Sequence, residues 1–266
     1  VSRLAGTISV IMPAFNEAAN ISKNLRETVD TLARFGYEFE VIVVDDGSPD
    51  DTWRAATDAL PDHHSNVRVL RYDRNEGKGN AVMRGTAVAT GDYIVFLDAD
   101  MDLHPAQLPV FFDIMAQQHA DVVIGSKLHP LSQVNYPFSR RIATTGYYTL
   151  VRLLFGLPLR DTQTGLKVFR AEVLRRVFPK VLVKRFAADI EVLVLAHSLG
   201  YSIREAPVHL TFQRRFGRIR LRDIFAIVQD TLAIFYRLNV LHYYDSIKQE
   251  WPAPRQEIKE LVGSKP

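Results

Sequence analysis

Apolar positions in the first half of the chain follow two alternating rhythms. Residues 7–12 form an apolar-rich run that predicts a strand stopped by Pro13. Within residues 16–35, Ile21, Leu25, Val29 and Leu32 stand four, four and three apart, the spacing of a helix face. Residues 39–44 are a β-branched run entering Asp45-Asp46-Gly47-Ser48, after which Asp50 or Asp51 is expected to cap a helix. Further strands are predicted at 67–70, 93–97 and 121–124, with helices at 79–89 and 105–118. Strands that alternate with helices imply an α/β fold whose mostly parallel sheet is covered on both faces. The strands lack strict alternation, as expected when both faces are buried.

The second half is less regular. Helices are expected at 140–155, 190–196 and 221–241, and a strand at 201–209, while the Thr/Gly-rich stretch 161–169 starts a further unit. The helix at 221–241 sets Ile224, Val228, Leu232 and Phe235 against a polar side that carries Arg222, Asp230 and Arg237. Beyond Tyr244, with Pro252 and Pro254, the chain reads as a polar tail. The expected division is a catalytic domain at 1–212, a basic loop and amphipathic helix at 213–250, and a tail at 251–266. There is no internal repeat.

Composition narrows the chemistry. The chain has 266 residues, 47% hydrophobic and 24% charged, which is ordinary for a globular protein. It contains no cysteine, which excludes disulfides, thiolate metal sites and cysteine nucleophiles. No run of about 18 apolar residues is present, so no bilayer-spanning helix is expected, and the first six residues carry no apolar signal core. The net charge of +3 hides an asymmetry: residues 1–125 hold 10 Lys/Arg against 19 Asp/Glu, and residues 126–266 hold 23 against 11. Acidic groups suit a metal ion; basic groups suit phosphates or an anionic membrane face.

The acidic groups are placed where a ligand would sit. Asp98-Ala99-Asp100 directly follows a strand, and open α/β sheets bind ligands at the carboxyl ends of their strands. Carboxylate oxygens suit Mg²⁺ or Mn²⁺, and Asp102 can add a third contact. The competing reading is a solvated turn with capping aspartates. Asp45-Asp46 and Pro13-Ala14-Phe15-Asn16-Glu17 end two more strands, with Asn16 as an alternative helix cap and Asp46-Gly47 as an alternative turn. Glu76-Gly77-Lys78-Gly79 is a short glycine-rich loop before a helix, able to approach phosphate closely; its spacing is neither that of a P-loop nor Gly-x-Gly-x-x-Gly. His104 is read as a cap or a residue of the site's mouth, and Trp53 as packing. The arginine runs match no nucleic-acid-binding module, so no nucleic-acid partner is expected.

Taken together, residues 13–17, 44–48, 75–79 and 98–100 resemble the family 2 inverting glycosyltransferases, of GT-A fold. Asp161-Thr-Gln-Thr-Gly-Leu-Lys167 and Asp189-Ile-Glu191 narrow the resemblance to the polyprenyl-phosphate sugar synthases, the dolichyl-phosphate glucose and mannose synthase group. It extends from about residue 7 to 241. The Gln-x-x-Arg-Trp mark of processive polysaccharide synthases is missing, and the Asp-Thr-Gln form stands nearer the glucose synthases. The resemblance implies a GT-A-type Rossmann-like mixed sheet followed by C-terminal amphipathic interface helices. It implies that Pro13, Phe15, Glu17, Asp45, Lys78 and Asp98 contact the nucleotide and that Asp98, Asp100 and Asp102 hold Mg²⁺ or Mn²⁺. Asp161 and Asp189 would face the donor sugar, and Lys127, Arg140, Arg141, Arg214 and Arg215 the acceptor phosphate. Lys127 replaces an arginine frequent in relatives, and the basic segment 212–220 is one residue longer than usual.

The implied reaction moves a hexose from a nucleotide diphosphate sugar, UDP-glucose before GDP-mannose, to a polyprenyl phosphate, inverting the anomeric carbon to give a β-linked lipid phosphate. A phosphate monoester, with a second pKa of about 6, is already anionic near neutrality and needs no obligatory base. Asp98 and Asp100 are the expected catalytic pair, with Asp161 as the fallback base. The expected location is peripheral, on the cytoplasmic membrane face, with or without a separate anchoring protein. The competing functions are transfer to a soluble or glycan hydroxyl, and a non-catalytic nucleotide-sugar-binding scaffold.

Overall fold

The apolar runs of the first half become neighbouring strands of one sheet. The computed structural model describes residues 6–59, 66–134, 138–184, 187–211 and 221–247, with side chains of the helices beginning at 138 and 221 described from 145 and 225 onward. His63, His64, Arg214, Arg215 and the tail 251–266 lie outside the described residues, as do the side chains of Arg140, Arg141 and Arg222. In chain order the elements are β1 (Ile8–Ala14), α1 (Ile21–Phe35), β2 (Phe39–Asp45), α2 (Thr52–Asp58), β3 (Val67–Arg71), α3 (Lys78–Val88) and β4 (Tyr93–Phe96). A 3₁₀ turn (Pro105–Gln107) leads into α4 (Leu108–Gln117), β5 (Val122–Ser126), β6 (Gln133–Val134) and α5 (Phe138–Phe155). Then come β7 (Lys167–Arg170), α6 (Ala171–Val177), α7 (Ala188–Ser198), β8 (Ile203–Pro207), β9 (His209–Leu210) and α8 (Leu221–Asn239).

The seven-stranded sheet has the order β3-β2-β1-β4-β7-β5-β8, parallel except for β7, which runs antiparallel between β4 and β5. Strands β6 and β9 form a separate parallel pair. Alternation of side chains divides each strand between two layers. Val10 and Met12 of β1 join Leu25, Leu32 and Phe111 beneath α1, α2 and α4. Ile11, Ile42 and Phe96 join Val82, Val173 and Leu193 beneath α3, α6 and α7. Register places Ala14 beside Asp45 and Ile11 beside Phe96, so the exits of β1, β2 and β4 open at one edge.

Several expectations are corrected. Pro13 does not stop β1; it pairs with Val44, and the β1–β4 pairing ends at Ile11↔Phe96, so no ladder donor is needed there on that side. Asn16 is not a helix cap: it takes φ +57°, its N–H donates to Ser48 Oγ at 3.0 Å, and α1 begins only at Ile21. The stretch 161–169 ends in β7, and α6 follows it, neither of which the local pattern singled out. His104 does cap, its Nδ1 accepting from Ala106 N–H at 3.0 Å. The expected strand at 201–209 divides into β8 and β9. The start of the expected tail is packed: Tyr244 is buried, its carbonyl and that of Ile247 accepting from Lys180 Nζ.

Candidate active site

Three strand exits and one helix start build the site. β1 delivers Phe15, half-exposed, and Glu17, buried, whose N–H donates to Thr52 Oγ1 at 2.8 Å. β2 ends in the two buried carboxylates Asp45 and Asp46. Asp46 accepts from Tyr72 Oη at 2.6 Å and from the N–H groups of Glu76 at 2.8 Å and Gly77 at 3.0 Å, which fixes the loop before α3. Gly47 is required at its turn: it takes φ +65°, and a Cβ there would lie 2.4 Å from the Arg74 carbonyl carbon. β4 ends in Asp98 and Asp100, and Met101 beyond them takes φ +60°. That left-handed conformation costs a non-glycine residue roughly 1–2 kcal/mol, a local strain at the carboxylate turn.

A cavity of about 630 Å³ lies over this edge, lined by Pro13, Phe15, Glu17, Asp46, Asn75, Lys78, Asp98, Asp100, Gln163 and Asp189, among others. Lys78, the first residue of α3, places Nζ 2.6 Å from Asp98 Oδ1. On the other side of Asp98 stands Gly165, where a Cβ would lie 2.1 Å from Oδ2 and 2.5 Å from Cγ. Lys167 is buried and pairs with Asp189 at 3.1 Å. Lys127 pairs with Asp161 at 3.1 Å, and Asp161 also accepts from the N–H of Lys127 and of Gln163.

These contacts set the charges. Burial raises the Asp98 carboxyl, but the Lys78, Lys167 and Lys127 ammonium groups outweigh it and hold Asp98 below the usual range. For Asp100 the balance is reversed: burial, then the charges of Asp98, Asp102 and Glu17, outweigh the hydrogen bond from the Asp102 N–H and push it up to about 6. Lys78 is raised, because its carboxylate neighbours, Asp98 foremost, outweigh its burial. Lys167 is lowered by burial, against the attraction of Asp189. Asp45 is raised by burial, against its hydrogen bonds from Ser48 and the Arg71 charge.

Of the residues expected at the site, Pro13, Phe15, Glu17, Lys78, Asp98, Asp100 and Asp189 line the cavity, and Asp45, Asp102, Asp161 and Lys127 do not. Asp46, Asn75 and Gln163, which the sequence reading placed in motifs but gave no site role, line it as well. Gly165 was quoted only within a motif, four residues after Asp161. Among the described residues, no group of three or more His, Asp or Glu side chains is disposed to hold a metal ion by itself. The donor set nevertheless fits Mg²⁺ or Mn²⁺: two hard carboxylates suffice where phosphate oxygens and water complete the shell.

Two consequences are directly measurable. Gly165→Ala forces the Asp98 carboxylate out of its place, so transfer should fall roughly a hundredfold, as when a mutation displaces a reacting group by about 1 Å. Thermal melting should fall by no more than the loss of the Lys78–Asp98 pair, because the clash falls on the Asp98 side chain and on no backbone atom. The second concerns acid stability. Burial raises Asp161, but the Lys127 ammonium and two backbone N–H groups outweigh it, so its folded pKa lies below the unfolded one. A depressed carboxyl pKa contributes stability that is present above the unfolded value and is lost as pH falls through the folded value. Asp161→Asn should therefore lower stability at neutral pH and flatten the decline as pH falls through and below the ordinary carboxylate range, in melts taken across acid pH.

A parallel α/β sheet interrupted by one antiparallel strand, with acidic residues at the exit of β4, defines the GT-A fold. The same fold is seen in the crystal structure of glucosyl-3-phosphoglycerate synthase from Mycobacterium tuberculosis with Mn²⁺, uridine diphosphate and phosphoglyceric acid. The match has a TM-score of 0.65 at 23% identity, over 92% of this chain and 80% of that one. Residues 9–178 match the sequence model of glycosyl transferase family 2, and the chain belongs to that family. It is 33% identical over 216 residues to a dolichyl-phosphate beta-glucosyltransferase of Dictyostelium discoideum, covering 77% of this chain and 66% of that protein. It is 32% identical over 235 residues to glycosyltransferase AglD of Haloferax volcanii, covering 88% of this chain and 38% of that protein. The dolichyl-phosphate beta-glucosyltransferase of Saccharomyces cerevisiae is 27% identical over 220 residues, 76% of this chain and 66% of that protein. The chain thus spans less than two thirds of the length of each of these three relatives.

Proposed function

We propose that this chain transfers a hexose from a nucleotide diphosphate sugar to a polyprenyl phosphate with inversion, UDP-glucose being the preferred donor and GDP-mannose the next. The observation that carries this reading is the placing of Asp98, Asp100 and Lys78 together on one cavity wall at the exit of β4. The leaving group is a diphosphate, and such a wall can meet it with positive charge from two sources. Asp98 and Asp100 would hold Mg²⁺ or Mn²⁺, which supplies Lewis-acid stabilisation of the departing phosphate oxygens. Lys78 adds a fixed ammonium.

Phe15 borders the base; Asp45, buried behind the cavity wall with Oδ2 3.5 Å from Arg71 Nε, acts toward base or ribose only indirectly, by holding the β2 exit in place. Asp189, held by Lys167, faces the sugar. Asp161 is given a positioning role through Lys127, since its depressed pKa makes it a weak base and the phosphate acceptor needs none. Lys127, Arg140, Arg141, Arg214 and Arg215 would meet the acceptor phosphate. The names of the eukaryotic relatives support a lipid-phosphate acceptor and a glucosyl donor. We place the chain peripherally on the cytoplasmic face, with or without an anchoring partner; attachment to a membrane surface, though not its side, draws support from the exposed Leu153 of α5 and from Phe225, Leu232 and Tyr236 of α8. Among the described residues no helix is long and apolar enough to cross a membrane.

The test is incubation with labelled UDP-glucose or GDP-mannose and polyprenyl phosphate. A chloroform-soluble product that releases label in mild acid is expected. Binding of nucleotide without lipid product from either donor would overturn the reading, and product on a water-soluble acceptor without lipid would select hydroxyl transfer instead.

A further inference from the structure

We propose that Lys78 is a built-in counter-ion, holding the metal's carboxylate Asp98 in the donor-free protein and passing to the diphosphate when donor binds, so that cation and nucleotide bind interdependently. This rests on the donor site proposed above and concerns how that site loads.

The two oxygens of Asp98 have different neighbours. Its Oδ2 is packed against Gly165, where even a methyl group would lie 2.1 Å away. Its Oδ1 is the atom that Lys78 Nζ holds at 2.6 Å. An ion that engages Asp98 through Oδ1 meets an ammonium already there.

Lys78 can leave without moving the fold. Its backbone is held on both sides: Gly77 N–H donates to Asp46 at 3.0 Å, and Asn80 N–H donates to the Lys184 carbonyl at 3.1 Å. Gly79 lies so close to α7 that a Cβ would be 2.4 Å from that of Ala188. Only the tip is free to swing, on a flexible four-carbon stem. The Lys78 and Asp98 side chains are 28% and 36% exposed, so the pair is partly open to an entering ligand.

No other described cation is placed to take over. Lys78 is the only cationic side chain among the described residues that line the cavity. Lys167 is committed to Asp189 and to the Thr164 carbonyl, and Lys127 to Asp161. A diphosphate entering beside Asp98, Asp100 and Glu17 therefore draws Lys78 toward itself and frees Oδ1 for the ion. By linkage, the ion tightens nucleotide binding by the same factor as nucleotide tightens ion binding.

The experiment measures Mn²⁺ binding by electron paramagnetic resonance, and UDP and GDP binding by calorimetry, each with and without the other ligand. It uses the native chain, Lys78→Met, Lys78→Gln, Lys78→Arg and Asp98→Asn. The uncharged variants should bind Mn²⁺ alone about tenfold more tightly and nucleotide more weakly, with the mutual enhancement reduced by about the same factor, within the usual range of site couplings. Lys78→Arg should keep the weak Mn²⁺ binding of the native chain. Opposite signs for ion and nucleotide are not produced by general loosening of the site. If both uncharged variants bind Mn²⁺ no more tightly than the native chain does, the counter-ion role is overturned while the donor site stands. If the native chain binds neither nucleotide, or Asp98→Asn leaves Mn²⁺ binding unchanged, the donor site itself is misplaced.

Discussion

Asp100→Asn is expected to reduce transfer by roughly 10²–10³-fold, the usual effect of removing one group that stabilises developing charge. The same variant should melt at the native temperature or a few degrees above it. Both expectations come from one fact. Asp100 is partly buried among Asp98, Asp102 and Glu17, and its carboxyl is pushed up to about 6 by that burial and then by the like charges around it. A residue kept for stability would not be ionised there. Asparagine has nearly the same shape and removes the repulsion, so the fold loses nothing, whereas the cation site loses one of two charged ligands. Asp98→Asn should differ, because Asp98 is neutralised by Lys78 in the free protein and its replacement leaves that ammonium unpaired. Lipid-product rates and thermal melts on both variants check this. An Asp100→Asn enzyme within tenfold of native activity, or one destabilised like a core variant, would refute it.

The edge of the sheet was legible in the sequence because each strand run ends in a chemically distinct exit, and β1, β2 and β4 are brought together in parallel register. What was not legible depends on long-range placement. β7 has only four residues, with Lys167 and Arg170 at its ends, so local hydrophobic rhythm says little; its strand character comes from lying between β4 and β5. The division of labour between Asp45 and Asp46 was likewise hidden. Adjacent residues of a strand point to opposite faces, and only the fold reveals that Asp46 lines the cavity while Asp45 is turned inward toward Ser48 and Arg71. The pairs Lys78–Asp98, Lys127–Asp161 and Lys167–Asp189 join residues about 20 to 34 apart in sequence, beyond any periodic signal. Glu191 was noticed only as the last letter of a motif, and its use lies in the fold's cohesion.

Glu191→Ala should be the most destabilising of the substitutions considered. Glu191 is fully buried on α7, yet both of its oxygens are engaged. Oε2 accepts from the N–H groups of Leu182 at 2.9 Å and Val183 at 2.7 Å; Oε1 accepts from Arg237 Nη1 at 2.9 Å and Tyr244 Oη at 2.5 Å. One carboxylate thus joins the segment before α7, the last turn of α8 and the chain beyond it. Burial raises its pKa, and those donors oppose the rise. Alanine would leave the Arg237 guanidinium, two backbone donors and a hydroxyl without their acceptor. Breaking a buried pair from one side typically costs about 3–5 kcal/mol, and at about 2–4 °C per kcal/mol for a domain of this size the melting temperature should fall by roughly 10 °C. Arg237→Ala added to Glu191→Ala should cost less than the two separate losses together, because the first substitution has already removed the shared bond. Hydrogen exchange should quicken at 181–184 and 237–247 before it does in β1 or β2. If the Glu191→Ala protein melts within 2 °C of the native chain, or the two losses simply add, the carboxylate does not hold α8 to the body.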